Sequence, residues 1–320
     1  MPCVEPRRIV FMGTPEFGVP VLEELARSRY DVVAVFTRPD RPAGRGRQMS
    51  PSPVKRAALE HGFRVIEPST MRGRESAARL AELRPDVVVV AAFAYLLPPE
   101  VLAVPRLGCL NVHPSLLPRH RGPSPVAAAL LSGDARTGVS IMLMDEGLDT
   151  GPVLAQESLN ISETDSTGSL TGALAEMGAR LLRSTLGKWL EGDVVPRPQD
   201  ESLATCSELI RAEDARLDWS LPAVELWRRV RAYYPWPGCY TMWEGRRLKI
   251  NSCQPLQERE TGGVGRVVEM PVTSALRIGV VTGKGVLGLG EVQLEGKRQV
   301  SAEEFVRGHG GFIGSSLVTK

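Results

Sequence analysis

The sequence of 320 residues lacks the features that mark membrane, secreted and zinc-binding proteins. No apolar run approaches the roughly 20 residues that a helix needs to cross a bilayer. Residues 1–8 lead into an apolar strand pattern without the charged and then hydrophobic leader of a secretory signal. The five cysteines are scattered and show no C-x-x-C spacing, which predicts neither disulfides nor a zinc site. We therefore expect a cytosolic protein with no membrane partner and no metal.

Motifs for nucleotide cofactors and a strong net charge are missing too. Residues 13–18 (G-T-P-E-F-G) have the wrong glycine spacing for a dinucleotide loop, and Pro15 and Pro20 remove backbone donors. No G-x-x-x-x-G-K-[ST] occurs, so nucleotide hydrolysis is not indicated. The net charge of +2 gives no global attraction to nucleic acid. Residues 38–56 are the local exception, with six Lys or Arg and Asp40 as the only acid.

What the chain does contain, over its first 190 residues, is an alternation of apolar β-branched runs with helical patterns. The strand candidates are Arg8–Met12, Val32–Phe36, Phe63–Ile66, Val87–Ala91, Cys109–His113 and Val139–Asp145. Several are continuously hydrophobic, as parallel strands buried on both faces require. A long amphipathic pattern from Leu170 to Leu190 closes this region. The pattern predicts an α/β open sheet with mostly right-handed crossovers.

The pattern changes after residue 190. Residues 191–208 lose the helical periodicity and collect proline, glycine and charge, which indicates a linker. A short helix is predicted over Ala223 to Arg231. Short apolar runs separated by glycines follow, and they predict a small antiparallel barrel with strands at Arg247–Ile250, Gly265–Val268, Ala275–Val281, Gly285–Leu289 and Gln293.

The candidate chemistry lies at the ends of two predicted strands. Asn111 and His113 are two residues apart on one strand, so their side chains point to the same side. Asp149 follows the next strand, in a loop where glycines permit sharp turns. An amide can polarise a carbonyl, an imidazole can move protons near neutral pH, and a carboxylate can hold that imidazole in one tautomer. Together they suit transfer of an acyl group to an amine without a covalent intermediate.

A covalent route through Cys109 or Ser115 is the alternative to direct transfer. Both residues flank His113 in sequence and could in principle form a thioester or an ester. Cys109 lies in an apolar strand, where a thiolate is costly, and this favours direct transfer. The stiff apolar segment Leu116–Pro118 lies beside the same strand end and could form a wall for a flat heterocycle, or equally a buried loop anchor.

Residues 111–122 (N-V-H-P-S-L-L-P-R-H-R-G) and 144–151 (M-D-E-G-L-D-T-G) together resemble the formyltetrahydrofolate-dependent formyltransferases, which pass a formyl group from the folate to an amine. The resemblance implies a Rossmann-like, mostly parallel sheet followed by a small OB-like barrel. It implies catalytic roles for Asn111, His113 and Asp149, with 10-formyltetrahydrofolate as the donor. The folate-binding segment that it implies comprises Ser115, Leu116, Leu117 and Pro118.

Two N-terminal segments, residues 13–17 and 38–55, resemble the members of that family whose acceptor is a methionyl initiator tRNA. In those enzymes the basic segment is an insertion that enters the tRNA acceptor arm, and the enzyme is a monomer. The resemblance implies tRNA contacts at Arg38, Arg41, Arg45 and Arg47. Further phosphate contacts are expected in the C-terminal part of the chain, at Arg211, Arg228, Arg229, Arg231, Arg246, Arg247 and Lys249.

The expected organisation is a catalytic domain over residues 1–190, a linker over 191–208 and an OB-like tRNA-binding domain over 209–320. The expected reaction formylates the free α-amino group of methionyl initiator tRNA for translation initiation. Three alternatives remain open: formyl transfer to an amino sugar nucleotide, hydrolysis of formyl-folate, and a catalytically silent tRNA-binding protein. The basic segment 38–55 argues against the first, because a small acceptor needs no such insertion.

Overall fold

The structure, a computed structural model, describes residues 7–43, 48–256 and 262–317. Packing divides the chain into two units. The first unit contains Met1–Pro125, Arg136–Asn160 and Thr171–Ser207, and the second contains Val126–Ala135, Ile161–Leu170 and Glu208–Lys320. The domain borders expected from the sequence, at residues 190 and 208, stay a prediction.

The first unit is built on a seven-stranded mixed sheet. The strands of its described residues are β1 (Arg8–Gly13), β2 (Asp31–Phe36), β3 (Arg41–Ala43), β4 (Gln48–Ser50), β5 (Val65–Ile66), β6 (Val87–Ala91), β7 (Cys109–His113), β8 (Arg136–Leu143) and β9 (Val153–Asn160). The sheet order is β5-β2-β1-β6-β7-β8-β9, and β3 pairs with β4 in a separate antiparallel hairpin. The first five strands in that order run parallel, and β8 pairs antiparallel with both β7 and β9.

The α/β class predicted from the sequence is confirmed by this sheet. Every residue of β6 is buried, as its unbroken apolar run requires. The predicted strand at Val139–Asp145 is instead Arg136–Leu143, because Asp145 belongs to a loop in which its Oδ1 accepts hydrogen bonds from Gly147 N and Thr150 Oγ1. The sequence did not indicate β9, a strand at the sheet edge that is polar and largely unburied after its first residues.

Helices alternate with these strands along the chain. Those up to residue 191 are α1 (Gly18–Ala26), α2 (Pro53–Glu60), α3 (Arg74–Glu82), α4 (Pro99–Leu102), α5 (Pro125–Ser132) and α6 (Thr167–Glu191). Of these, α5 from Val126 onward and the first residues of α6 belong to the second unit. Ser52 caps helix α2, since its Oγ accepts a hydrogen bond from Lys55 N at 3.0 Å, and Pro53 follows as the first helical residue. Helix α6 approaches β7 closely at Gly178, where an added Cβ would lie 2.7 Å from a methyl group of Val112.

The segment predicted as a linker is hydrogen-bonded to the first unit as far as Ser207. Arg197 exchanges two backbone hydrogen bonds with Val153, at 2.8 and 2.9 Å. Thr205 N donates to Pro118 O at 3.3 Å, and Ser207 N donates to Arg121 O at 2.7 Å. These bonds use backbone groups, which hydrophobic periodicity does not reveal, and they could not be predicted from the residue pattern.

The second unit carries an antiparallel sheet between two helices. After helix α7 (Ala223–Ala232) come the strands β10 (Tyr240–Trp243), β11 (Arg246–Leu256), β12 (Val267–Glu269), β13 (Ile278–Val281), β14 (Val286–Leu294) and β15 (Val300–Ser301), and then helix α8 (Ala302–Gly308). The order is β10-β11-β14-β13-β12, with β15 added to β14. Irregular register between residues 250 and 253 interrupts the long β11–β14 ladder. This all-antiparallel arrangement is the one expected of the OB-like domain.

Candidate functional site

The candidate site lies at the carboxyl end of β7. The strand order reverses between β1 and β6, since the chain first builds outward through β2 and β5 and then returns to the other side. Such a reversal opens a crevice beyond the carboxyl ends of the strands, where ligands of open α/β sheets bind. Asn111 and His113 lie at this end of β7, the former half-buried and the latter 4% exposed.

Asp149 reaches the same place from the loop between β8 and β9. Its Oδ1 accepts a hydrogen bond from Asn111 Nδ2 at 3.2 Å, and its Oδ2 accepts one from Gly122 N at 2.8 Å. The same Oδ2 lies 3.6 Å from His113 Nδ1. The structure therefore brings together the amide, the imidazole and the carboxylate that the sequence pattern singled out, and adds a backbone donor that the pattern did not reveal.

Both ring nitrogens of His113 face protein groups. Nε2 lies 3.1 Å from the backbone oxygen of His120, which can only accept, so Nε2 carries a proton. Nδ1 faces the Asp149 carboxylate. Burial lowers the pKa of His113, while the Asp149 charge acts in the opposite direction. Burial therefore favours a neutral resting ring, whereas the Asp149 carboxylate favours protonation at Nδ1.

Strain accompanies these contacts. Asp149 has a φ of 55° and His120 a φ of 57°, both in the left-handed region that non-glycine residues rarely adopt. Gly122, whose amide donates to Asp149, has a φ of 105°. Residues hold such conformations only where surrounding contacts fix them, and they concentrate at functional sites.

The predicted folate segment is a rigid loop that follows β7. Ser115 Oγ donates to Arg119 O at 2.6 Å, and Ser115 O accepts from Ser140 Oγ at 2.6 Å. Leu117 N donates to the same Ser140 Oγ at 3.1 Å. The side chains of Ser115 and Leu117 are buried, whereas Leu116 and Pro118 are half-buried. Within this segment, the surface that a ligand could touch thus belongs to Leu116, Pro118 and the backbone.

The covalent alternative finds no support at Cys109. This side chain is 1% exposed, and burial raises the pKa of its thiol to about 12. The thiolate, which is the reactive form, is therefore scarce at neutral pH. Ser115 Oγ, the other candidate nucleophile, is engaged with a backbone carbonyl rather than with His113.

The basic segment is described only in part. Arg38 is half-buried, Arg41 is exposed on β3, and Arg45 and Arg47 lie outside the described residues. The start of the segment is anchored by Asp40, whose Oδ1 accepts from Lys55 Nζ at 2.8 Å, while Lys55 also contacts Glu67 at 2.9 Å. These two carboxylates raise the pKa of Lys55.

Among the C-terminal basic residues, Arg231 is committed to the fold of its own unit. Its Nε donates to Asp165 O at 2.6 Å, its Nη2 donates to Ser162 O, and its guanidinium lies over the Trp227 ring. Arg231 is thus occupied within the fold, whereas Arg246 and Arg247 of the same expected set are exposed. The tRNA contacts of this set stay a prediction.

Within the part of the chain that the structure describes, no cluster of three or more His, Cys, Asp or Glu side chains is arranged to hold a metal ion. In the same residues, no helix is both long enough and apolar enough to span a membrane. The groups available for chemistry at the end of β7 are the amide, imidazole and carboxylate described above.

Comparison with known proteins identifies the architecture. Residues 7–186 match the model of the formyl transferase family, and residues 209–310 match that of the formyl transferase C-terminal domain. The chain is 47% identical over 308 residues to the methionyl-tRNA formyltransferase of Roseiflexus sp. (strain RS-1), covering 95% of this chain and 93% of that protein. It is 45% identical to the methionyl-tRNA formyltransferase of Methylococcus capsulatus, covering 94% and 97%.

A solved structure shows the same fold at low sequence identity. The N-formyltransferase from Helicobacter canadensis, in complex with folinic acid and dTDP-3-aminofucose, superposes with a TM-score of 0.64 at 16% identity. The match covers 89% of this chain and 99% of that one. The fold, the strand-end cluster of Asn111, His113 and Asp149, and the nearly full-length similarity agree, and the chain belongs to the formyl transferase family.

Proposed function

We propose that this protein transfers the formyl group of 10-formyltetrahydrofolate to the free α-amino group of methionyl initiator tRNA, giving formylmethionyl-tRNA. The observation that carries the proposal is the convergence of Asn111, His113 and Asp149 at one strand end, in a chain whose relatives of 45–47% identity are methionyl-tRNA formyltransferases. The reaction needs an oxyanion donor and a route for one proton, and these side chains are the types that supply them.

Asn111 is the proposed oxyanion donor. A carboxamide carries two N–H donors, and the contact with Asp149 Oδ1 occupies one of them. The second N–H can donate to the carbonyl oxygen of the formyl group as the amine attacks and negative charge develops there. Because Asp149 fixes the plane of the amide beforehand, little reorganisation is needed in the transition state.

His113 and Asp149 are proposed to move the proton of the attacking amine. The amine loses a proton as the tetrahedral intermediate forms, and the folate nitrogen gains one as it departs. A neutral His113 can take up a proton at Nδ1, where Asp149 Oδ2 lies 3.6 Å away and stabilises the resulting cation. Burial keeps the ring neutral until that step, which is the state that a base requires.

The donor is proposed to lie against the loop of residues 115–118. The ties of Ser115 and Leu117 to Ser140 fix this loop before a ligand arrives. The half-buried Leu116 and Pro118 offer apolar surface for the flat pterin ring, and backbone groups offer polar contacts.

The acceptor is proposed to be bound through phosphate contacts of the basic segment. Arg38, Arg41, Arg45 and Arg47 are the residues proposed for it, and the ion pair of Lys55 with Asp40 fixes where the segment leaves the sheet. Guanidinium groups bind phosphates with two parallel hydrogen bonds, so a few arginines suffice to position an acceptor arm.

Transfer to an amino sugar nucleotide is the alternative that must be tested. The Helicobacter canadensis N-formyltransferase was solved with such a sugar nucleotide, but at 16% identity it supports only the fold. The test offers the purified protein formyl-labelled 10-formyltetrahydrofolate with charged initiator tRNA, with an amino sugar nucleotide, or with water alone. The proposal expects label on the methionyl amine of the tRNA. Label on the sugar, or release of labelled formate at the same rate without an acceptor, would overturn it.

A further inference from the structure

We propose that Gln199 is a positioning residue of the formyl transfer reaction, and that it acts by holding the backbone of Asp149. Gln199 lies in the segment that the sequence pattern indicated as a linker, outside both motifs of the strand-end cluster. The inference rests on the proposed function, because it assigns Gln199 a role through the carboxylate that the proposal places in the reaction.

The side-chain amide of Gln199 bonds to the Asp149 loop on one side. Its Nε2 donates to Asp149 O at 2.9 Å and to Gly151 O at 2.7 Å. On the other side its Oε1 accepts from Nε and Nη2 of Arg121, at 3.0 and 2.9 Å. Both N–H groups and both lone-pair positions of one amide are thereby occupied.

Arg121 fixes which way the Gln199 amide faces. The Arg121 side chain is nearly buried and is held in turn by Glu201, which accepts from Nη1 and Nη2 at 2.9 and 2.8 Å. A guanidinium can only donate, so it pairs with the oxygen of the amide and directs the nitrogen towards the two backbone carbonyls. A carboxylate at position 199 could accept from Arg121 but could not donate to the carbonyls.

The Asp149 loop requires such a tie. Asp149 lies between Gly147 and Gly151, which permit many backbone conformations, and its own φ of 55° is one that an aspartate rarely adopts. Gly122 and Asn111 bind its carboxylate but not its backbone. Gln199 donates to the carbonyl oxygens of Asp149 and Gly151, the residues on either side of Thr150. These two bonds resist a rotation of the peptide groups that would move the Asp149 carboxylate away from His113.

The loop that contains Arg121 and Gly122 is held by the same segment. His120 N donates to Thr205 Oγ1 at 2.9 Å, and Ser124 N donates to Ser207 Oγ at 3.0 Å. Gly122 N is the donor to Asp149 Oδ2. The segment from Gln199 to Ser207 therefore sets the positions of both loops that meet at the carboxylate, and Gln199 is the side chain that joins them.

The experiment compares Gln199→Ala and Gln199→Glu with wild type. Gln199→Glu keeps the size of the side chain and its bonds to Arg121, and replaces the donor to Asp149 O and Gly151 O by a carboxylate oxygen, which cannot donate and is repelled by both carbonyls. Gln293→Glu is the matched control, because Gln293 also donates through Nε2 to a backbone carbonyl, that of Lys297, at 2.8 Å in the other unit. Rates of formyl transfer are measured at saturating folate and tRNA, together with both KM values and the melting temperature.

We expect kcat to fall about 10- to 100-fold in both Gln199 variants, since a small displacement of a reacting group has this effect. Both KM values should stay within threefold of wild type, and Gln293→Glu should keep the wild-type kcat. A kcat within threefold of wild type in the Gln199 variants would overturn the inference. So would a melting temperature lowered far below wild type in both, because Gln199 would then support the fold as a whole.

A double-mutant cycle tests whether Gln199 acts through Asp149. In an Asp149→Asn background, adding Gln199→Ala should change the single-turnover rate by less than threefold; a further tenfold loss would contradict the inference. The ring nitrogens of His113 give an independent signature by ¹⁵N NMR. Burial lowers the pKa of this ring and the Asp149 charge raises it, so a released Asp149 should shift the His113 pKa further downward in Gln199→Ala. An unchanged His113 titration would also contradict it.

The two proposals fail in different ways. If wild-type protein does not formylate methionyl initiator tRNA, the proposed function is wrong and the cycle has no wild-type rate to refer to. If the wild type is active and Asp149→Asn is severely impaired, but Gln199→Ala and Gln199→Glu are fully active, only the role of Gln199 is wrong.

Discussion

The strand-end cluster and the β3–β4 hairpin are anchored very differently, although the proposed reaction needs both. The cluster of Asn111, His113 and Asp149 lies on and beside a buried strand, and each member contacts another member. The hairpin has two strands of three residues that pair only with each other among the described residues. Isolated two-stranded hairpins are marginally stable in water.

This difference in anchoring fits the two proposed roles, catalysis for the cluster and tRNA binding for the hairpin. Groups that stabilise developing charge must be fixed before the reaction, because reorganising them costs activation free energy. Groups that meet a large polyanion can adjust on contact, since phosphate binding is strong and tolerant of geometry. We therefore expect changes in the cluster to lower kcat, and changes in the hairpin to act on tRNA binding.

The largest effect should follow from loss of the proposed oxyanion donor. Asn111→Ala removes the amide while Asn111 is only half-buried, so the fold should survive. We expect kcat to fall about 10²- to 10³-fold, or about 2.7–4 kcal/mol of barrier, with little change in either KM. Steady-state kinetics with charged tRNA measure this. A raised KM for tRNA at unchanged kcat would show that Asn111 acts in tRNA binding, as proposed for the hairpin, and not in the chemical step.

Changes in the hairpin should be intermediate in size and specific to the tRNA. Arg41→Ala removes an exposed side chain, and Arg45→Ala removes its counterpart further along the segment. We expect each to lower kcat/KM for tRNA several-fold and to reduce the slope of log K against log salt by about 1. Folate affinity, followed by fluorescence, should not change. An equal loss of folate and tRNA binding would show that the variant had disturbed the fold instead.

A smaller effect should appear in the pH dependence of stability. Burial lowers the pKa of folded His113 below its unfolded value of about 6.5, so the unfolded chain binds the proton more readily. His113 then contributes stability that is fully present above pH 6.5 and declines as the pH falls, by at most about 1.4 kcal/mol per pH unit. Urea unfolding of wild type and His113→Gln at pH 8 and pH 5.5 tests this. On going from pH 8 to pH 5.5, the free energy of unfolding of wild type should fall by more than that of His113→Gln. A smaller fall in wild type than in the variant would mean that the Asp149 charge outweighs burial.

The smallest effect is expected at Cys109. Its thiol has a pKa of about 12 because it is buried, and it takes no part in the proposed reaction. Cys109→Ala should retain kcat within about threefold, and rapid quenching with labelled donor should leave no label on the protein. Label trapped on wild-type protein but absent from Cys109→Ala would show that the formyl group passes through a thioester at Cys109 instead of being transferred directly.

The sequence predicted those parts of the molecule that leave a periodic or chemical signal. The apolar runs predicted β1, β2, β6 and β7 closely, and the two-residue spacing of Asn111 and His113 placed their side chains together. Strand β9 was missed because half of its residues are polar and most of it is unburied, at a sheet edge. The contacts of Gly122 N and His120 O with the cluster were missed because they are made by the backbone.

Gln199 shows a further limit of prediction from the sequence. Its neighbours are proline, charge and polar residues, which read as a linker when only periodicity is considered. Its role depends on two loops that are distant in sequence, those of Arg121 and Asp149, and no local pattern predicts that a single amide lies between them.

The central claim is that the Asp149 carboxylate organises the amide and the imidazole that perform formyl transfer. The most direct test is the single-turnover rate of Asp149→Asn with saturating 10-formyltetrahydrofolate and charged initiator tRNA, in a variant with the wild-type melting temperature. We predict a rate at least 100-fold below wild type, with both substrates still bound. A rate within threefold of wild type would contradict the claim.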